Sequence, residues 1–148
     1  METVRAFIAV DLPPFAKETV AEAQDYFKSL DLDAAWVKPG NIHLTLKFLG
    51  DIEVPKIAEI QRSVAPAVGQ FPCISVSLGK VGVFPNLNRP RVLWIGLEDA
   101  ATGSLESLRD TIENQLQAVG FKPELKKFSP HLTLGRIKSA RGKGRLRE

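Results

Sequence analysis

The tetrapeptide His-Leu-Thr-Leu occurs twice in this chain, at residues 43–46 and 131–134, and the two copies contain its only two histidines. Each copy ends a similar stretch of sequence: an apolar segment (residues 7–10 and 93–96), then an amphipathic segment with helical spacing, then the tetrapeptide. Internal repetition is the sequence feature that most restricts a fold, because each copy must form the same local structure. The repeat therefore predicts two strand–helix–strand units related by a pseudo-two-fold axis.

The predicted elements favour an α+β fold. β-branched and aromatic residues with alternating polarity predict strands, and apolar residues at helical spacing predict helices. Strands are expected at residues 4–10, 42–49, 73–83, 91–97 and 131–137, and helices at 14–30, 54–68 and 104–119. A parallel α/β sheet is the alternative, but the hairpin-like stretch 73–97 favours mainly antiparallel strands. We expect residues 1–140 to form one bilobal domain of two such lobes with flanking helices and a central groove, with segment 4–10 as a buried strand.

Length and composition restrict the class of protein. A chain of 148 residues with 44% hydrophobic and 25% charged residues can bury one sizeable core and is not disordered. No apolar run approaches the ~20 residues that a membrane span needs. The single cysteine, Cys73, excludes an internal disulfide framework and is expected to be a packed thiol in a reducing compartment. We therefore expect a soluble, cytoplasmic monomer without membrane attachment.

The net charge of +3 is unevenly distributed along the chain. Residues 136–148 (RIKSARGKGRLRE) contain six basic groups and one acidic group, a balance of +5, which leaves −2 for the other 135 residues. We expect residues 141–148 to form a flexible basic tail, since this segment has glycines and no apolar period. Such a tail can attract a polyanion such as RNA, and a purely solubilising end is the alternative.

The tetrapeptide has a chemical meaning if it lies in a strand. Side chains then alternate between faces, so the leucines are buried on one face while His and Thr project from the other, about 6.6 Å apart along the backbone. One neutral and one protonated imidazole can remove a proton from a nucleophile and donate a proton to a leaving oxygen, and threonine hydroxyls can hold the oxygens of a phosphate. We predict His43 and His131 as catalytic residues and Thr45 and Thr133 as substrate-binding residues.

Four other residues near the motifs are singled out, three of them with two interpretations each. Arg136, just after the second motif, could hold a phosphate oxygen or end a solvated strand, and Lys47 has the same alternatives after the first. Phe84 could stack on a base, although core packing is the expectation there. Trp94, in an apolar strand, is expected to lie in the core.

Other catalytic classes fit the sequence poorly. A zinc site needs three or four ligands, which two histidines and a distant cysteine do not supply. The chain has no Walker loop, no GxGxxG motif and no GxSxG nucleophile motif. We therefore expect no metal and no cofactor.

Residues 5–138 resemble a known family. The two HLTL copies look like the HxTx signatures of the 2H phosphoesterase superfamily, and the chain is similar to its RNA 2′,3′-cyclic phosphodiesterase branch, also called the 2′-5′ RNA ligase family. The resemblance is carried by the segments RAFIAVDLP, NIHLTLKFLGDI, GVFPNLNRPRVLWIGL and FSPHLTLGRIK.

The resemblance implies a bilobal α+β fold and metal-independent hydrolysis of RNA 2′,3′-cyclic phosphate ends to 2′-phosphomonoesters. It also implies RNA, including tRNA halves, as the partner, and the reverse 2′-5′ ligation as a second activity. By the same resemblance His43 is the proton donor and His131 the proton acceptor. The alternatives are a nucleotide- or RNA-binding module without turnover, and a phosphodiesterase acting on a small cyclic nucleotide.

Overall fold

The structure is a computed structural model, and it describes residues 2–99, 103–142, 144 and 146. Within these residues the chain forms six strands and three α-helices. Their order is β1 (Thr3–Asp11), α1 (Pro14–Lys28), β2 (Ala34–Trp36), β3 (His43–Glu53), α2 (Lys56–Val68), β4 (Val76–Phe84), β5 (Val92–Asp99), α3 (Ser104–Gln117) and β6 (His131–Ile137), with a 3₁₀ turn at Pro39–Asn41 before β3.

The strands form two sheets. β1 pairs with β3, and a second sheet has the order β2-β6-β5-β4. β6 runs antiparallel to both of its neighbours, β2 and β5. The Val54 amide donates a hydrogen bond to the Glu2 carbonyl at 3.1 Å, which brings the end of β3 to the start of β1 and makes that pair antiparallel too. The expected α+β class with antiparallel sheets is confirmed, and the parallel α/β alternative is wrong.

The helix ends follow the local sequence. α1 begins at Pro14, where a missing amide hydrogen costs nothing and the fixed φ suits a first turn. α3 is followed by Gly120 at φ +97°, a conformation that glycine adopts without a Cβ penalty. The Phe121 amide then donates to the Leu116 carbonyl at 3.0 Å and so satisfies the end of the helix.

The chain divides into two compact units, and neither is a continuous half of the sequence. One unit comprises Met1–Ala9, Thr45–Ser77 and Glu98–Pro130; the other comprises Val10–Leu44, Leu78–Leu97 and His131–Glu148. The helix of each sequence repeat belongs with the motif strand of the other repeat: α3 lies in the unit of Thr45 and α1 in the unit of His131. The expected lobes are therefore not the two consecutive repeats.

Each unit has its own buried apolar residues. In the unit that contains α1 they include Val20, Leu93, Ile95, Leu132 and Leu134, and in the unit that contains α3 they include Leu46, Ile60, Leu108, Ile112 and Leu116. Among the described residues, no helix combines the length and the apolar character that crossing a membrane requires.

The burial predicted for segment 4–10 and for Cys73 is wrong. Segment 4–10 forms the predicted strand, but its residues are exposed or half-buried, with Phe7 46% exposed. In the described part of the chain β1 pairs with β3 alone, and the other elements cover the faces of this strand incompletely. Cys73 is a free, exposed thiol because it precedes β4 instead of lying within it.

Candidate functional site

The first motif lies at the start of β3, directly after the 3₁₀ turn. Leu44 and Leu46 are 3% and 7% exposed, whereas His43 and Thr45 are half-buried. The alternation predicted from the tetrapeptide is confirmed, because the leucines anchor the strand while the imidazole and the hydroxyl remain accessible.

The second motif repeats this arrangement at the start of β6. Leu132 and Leu134 are completely buried, and His131 and Thr133 are half-buried. Opposite them on β5, His131 pairs with Gly96 and Thr133 pairs with Trp94. Directly opposed residues of two strands project from the same face, so Trp94 flanks Thr133.

An irregularity in β6 determines the orientation of Arg136. The neighbouring residues Leu93 and Trp94 pair with Gly135 and Thr133, so Leu134 is an extra residue in β6. A bulge of this kind changes the phase of the alternation. Residues 134 and 135 are both buried and Arg136 is exposed, whereas strict alternation would place Arg136 on the leucine face. The bulge thus returns Arg136 to the face of His131 and Thr133.

A buried glutamine of α1 supports the bulge. The Gln24 side chain is 1% exposed, and its Nε2 donates hydrogen bonds to the carbonyls of Val37 at 2.7 Å and Leu134 at 2.9 Å. The Val37 amide donates to the same Leu134 carbonyl at 3.0 Å. Because buried carbonyls need partners, Gln24 stabilises the backbone next to Thr133. Sequence analysis missed this residue, and its only signal was a polar side chain on the apolar face of a helix.

Aromatic side chains surround His131. Its imidazole lies 5.2 Å from the Phe84 ring in an edge-to-face arrangement and 6.0 Å from the Trp94 ring, and Phe84 and Trp94 stack at 4.9 Å (centroid distances). The expectation that Trp94 lies in the core is wrong, because Trp94 is half-buried on the face of the motif. Phe84 is 37% exposed and packs against both of these rings instead of lying in the core.

A carboxylate lies in the electrostatic neighbourhood of His43. Lys17 Nζ lies 3.1 Å from the carboxylate of Asp11, and the Leu12 amide donates to it at 3.0 Å. The hydrogen bond from Lys17 is the main reason that the pKa of Asp11 is lowered, the Leu12 amide adds to it, and the charge of His43 contributes less. The Asp11 carboxylate, at the end of β1, is thus held in its ionised form mainly by Lys17, and it lies within electrostatic range of His43.

Lys47 forms a buried ion pair with Glu113. Its Nζ donates to Glu113 Oε2 at 3.0 Å and to the Lys122 carbonyl at 2.8 Å, and the side chains of Lys47 and Glu113 are each 8% exposed. Neither interpretation offered for Lys47 is correct. It is not a solvated strand end, and its ammonium group is occupied by a carboxylate of α3 instead of being available to a phosphate.

Three exposed arginines lie near the end of β6 and the start of β5. Arg136 pairs with Val92, and Arg89 and Arg91 flank Pro90 just before it. In the part of the chain that the structure describes, none of the three has a carboxylate oxygen within 4.0 Å. Over the same residues, no group of three His, Cys, Asp or Glu side chains is arranged to hold a metal ion.

Four of the five predicted site residues fall in one compact unit: His43, His131, Thr133 and Arg136. Thr45 belongs to the other unit, although it lies only two positions after His43 in the continuous strand β3. The roles of all five residues stay predictions.

The beginning of the expected tail makes contacts. Arg141 donates to the Leu32 carbonyl at 3.5 Å and lies 3.8 Å from the Asp31 carboxylate. Lys143, Arg145, Arg147 and Glu148 lie outside the described residues. The boundary at residue 140 and the flexibility of residues 141–148 stay predictions.

The sequence and the fold both match known phosphoesterases. The family model of the LigT-like phosphoesterases matches residues 10–94 and 95–148. The chain belongs to the LigT-like phosphoesterase family. This confirms the resemblance to 2H phosphoesterases, and with it the expectation of a phosphoesterase.

Individual relatives are similar over most of this LigT-like chain. It is 38% identical over 145 residues to an RNA 2′,3′-cyclic phosphodiesterase of Methanothermobacter thermautotrophicus, which covers 98% of this chain and 77% of that protein. A crystal structure from Thermus thermophilus superposes with a TM-score of 0.77 at 28% identity, over 92% of this chain and 75% of that one. E. coli LigT complexed with 3′-AMP has a TM-score of 0.70 at 25% identity, over 94% and 76% of the two chains.

Proposed function

We propose that this LigT-like protein hydrolyses RNA 2′,3′-cyclic phosphate ends to 2′-phosphomonoesters by acid–base catalysis with two histidines. The observation that carries the proposal is the duplicated motif strand, in which an accessible imidazole and an accessible hydroxyl project opposite two buried leucines in both β3 and β6. Packing alone requires only the leucines, so the accessible His and Thr need a chemical explanation. The names of the relatives supply the reaction class.

In the proposed reaction, water attacks the phosphorus and the bond between phosphorus and the 3′ oxygen breaks. His131 accepts the proton of the water, and His43 donates a proton to the leaving 3′ oxygen, so the products are a 2′-phosphate and a 3′-hydroxyl. Thr45, Thr133 and Arg136 donate hydrogen bonds to the non-bridging oxygens as negative charge accumulates there. The same displacement with an RNA 5′-hydroxyl attacking in place of water again breaks the bond between phosphorus and the 3′ oxygen, and it gives the proposed 2′-5′ ligation.

The charge distribution supports RNA as the substrate rather than a small cyclic nucleotide. Arg89, Arg91 and Arg136 are exposed, and no described carboxylate neutralises them. The residues that follow β6 add further basic groups. Unneutralised cations next to a phosphate-binding strand attract the neighbouring phosphates of a polynucleotide, which a mononucleotide does not have.

The test is incubation of the purified protein with an RNA oligonucleotide that ends in a 2′,3′-cyclic phosphate, in the presence and absence of EDTA. We expect a 2′-phosphate end, identified by its resistance to enzymes specific for 3′-phosphates, and the same rate with the chelator. A cyclic mononucleotide of the same base, assayed in parallel, should have a lower kcat/KM. RNA that is bound but not converted would contradict catalysis and favour the binding module. Loss of activity in EDTA that a divalent ion restores would contradict the metal-free mechanism.

A further inference from the structure

The aromatic rings beside His131 are held by the backbone of the β4–β5 hairpin. The Trp94 indole lies across Gly82 of β4 so closely that a Cβ built on Gly82 would come within 2.3 Å of Trp94 Cζ2. Phe84 stacks on this indole with an interplanar angle of 29°, and its carbonyl accepts a hydrogen bond from the Arg91 amide at 2.7 Å. The Trp94 indole thus packs on Gly82, the Phe84 ring stacks on Trp94, and the same Phe84 ring meets the imidazole of His131.

We propose that Phe84 is a positioning residue for the His131 imidazole, with Trp94 and Gly82 fixing the position of Phe84. The proposal rests on the proposed function, in which His131 accepts the proton of the attacking water. Phe84 meets the imidazole edge to face, with an interplanar angle of 82° and a centroid distance of 5.2 Å. This is a favoured geometry for aromatic pairs, and it restricts rotation of the imidazole about its side-chain bonds.

Restricted rotation of the imidazole matters because His131 is a half-buried side chain on a strand. Both common χ1 rotamers are available to residues in strands, so the backbone of β6 alone does not select one orientation of the imidazole. Proton transfer requires one ring nitrogen to be directed at the water, and displacements near 1 Å can lower a rate by about 10²-fold. An aromatic ring beside the imidazole selects the orientation without competing for either of its nitrogens.

The first experiment compares Phe84→Leu with Phe84→Tyr in the RNA cyclic phosphate assay. Leucine keeps apolar volume but removes the ring, and we expect kcat to fall by about 10- to 100-fold with KM changed by less than about two-fold. Tyrosine keeps an aromatic ring beside the imidazole, so Phe84→Tyr should have a kcat much closer to wild type than Phe84→Leu. Equal kcat for wild type and Phe84→Leu, or a loss confined to KM, would overturn the proposal, since a substrate-stacking ring would act through KM.

A second variant changes Gly82, the glycine on which the Trp94 indole packs. Gly82→Ala forces the Trp94 indole away from β4 and should shift Phe84, so kcat should again fall with little change in KM. The matched control is Gly69→Ala, at the end of α2, where φ is −64° and an added Cβ meets nothing closer than 3.4 Å. The control should keep the wild-type kcat. A Gly82→Ala protein that melts like wild type and keeps full kcat would contradict the role of the stack.

A spectroscopic measurement separates this proposal from the proposed function. The chain has two histidines, so its imidazole Hε1 protons give two NMR signals. The ring current of Phe84 should displace the His131 signal, and Phe84→Leu should move that signal while leaving the His43 signal in place. Wild type that is inactive on cyclic phosphate but shows this selective shift would refute the proposed function and leave the contact established. Active wild type without the shift would refute the positioning role alone.

Discussion

At the scale of single residues, the two histidines of the repeated motif have different surroundings. His43 lies near the ionised carboxylate of Asp11, and His131 lies against the rings of Phe84 and Trp94. The two copies of the motif thus differ in what surrounds their imidazoles. The donor role of His43 and the acceptor role of His131 rest on the resemblance to the family.

Replacement of either histidine should slow the reaction by a similar factor. His43→Ala and His131→Ala should each lower kcat by roughly 10²–10⁴, which is the usual contribution of a general acid or base. The double variant should lose much less than the product of the two factors, because the residues act in one step. Single-turnover rates on RNA cyclic phosphate provide the measurement, with unchanged melting temperatures as the control. Wild-type kcat in either single variant would contradict the assignment.

The Asp11 carboxylate provides a prediction about pH. Its pKa lies below the ordinary 3.8, first because of the hydrogen bond from Lys17 and to a smaller extent because of the charge of His43. The folded state therefore gains stability above the unfolded pKa and loses it as the pH falls below 3.8 through the lowered value. We expect Lys17→Met to raise the pKa of Asp11 more than His43→Ala does, as measured by carbon-13 NMR titration of the carboxyl group. A larger effect from His43→Ala would show that the imidazole is its main partner.

At the scale of secondary-structure elements, each motif strand is held by the helix of the other repeat. Gln24 of α1 donates to the carbonyl of Leu134 in β6, and Glu113 of α3 pairs with Lys47 in β3. Each contact falls within one position of the end of its tetrapeptide. The two strands are thus fixed by buried polar interactions at equivalent places, one neutral and one ionic.

Removing one partner of the ionic contact should destabilise the fold far more than removing both. Lys47→Met leaves the Glu113 carboxylate buried without its main cation, and we expect a loss of about 3–5 kcal/mol in the free energy of unfolding. Lys47→Met combined with Glu113→Leu should recover most of that loss, since the buried carboxylate is then gone and Arg109, which also faces Glu113, keeps its ion pair with Asp110. Urea denaturation provides the measurement. The control is Lys56→Met, whose exposed ion pair with Glu59 should be worth no more than about 1 kcal/mol. A similar small loss for Lys47→Met would mean that the pair is solvated.

In the whole molecule, we expect the basic tail to contribute to RNA binding and not to the chemical step. A chain ending at Gly142 keeps the contact of Arg141 with Leu32 and removes three cations, Lys143, Arg145 and Arg147. We expect unchanged hydrolysis of a mononucleoside 2′,3′-cyclic phosphate. Binding of long RNA should weaken, and its log–log salt slope should become shallower by about 2, because each lost phosphate contact accounts for about 0.7 on a single strand. An unchanged RNA affinity and slope would mean that the tail only solubilises, and lost activity on the small substrate would mean that it supports the fold.

Local pattern was enough to predict most elements. The alternation of the two tetrapeptides, the span of β6 and the start of α3 at Ser104 all follow from the sequence, because side-chain periodicity and capping residues act within a few positions. Element ends were less accurate: β3 continues to Glu53 and α2 starts at Lys56 rather than at residue 54. Strand and helix ends depend on which neighbour supplies the next hydrogen bond, and periodicity does not contain that information.

Residue identity and local spacing were sufficient to predict the duplicated His/Thr strands, the α+β class and the family. Three other features become visible only in the folded chain: α1 and α3 pack with the motif strands of the opposite repeats, a bulge at Leu134 returns Arg136 to the face of His131, and Lys47 forms an ion pair with Glu113. Each of these depends on a partner far away in the chain. The free energy of such a contact comes from burial and pairing between distant segments, and neither segment carries a local signal of the other.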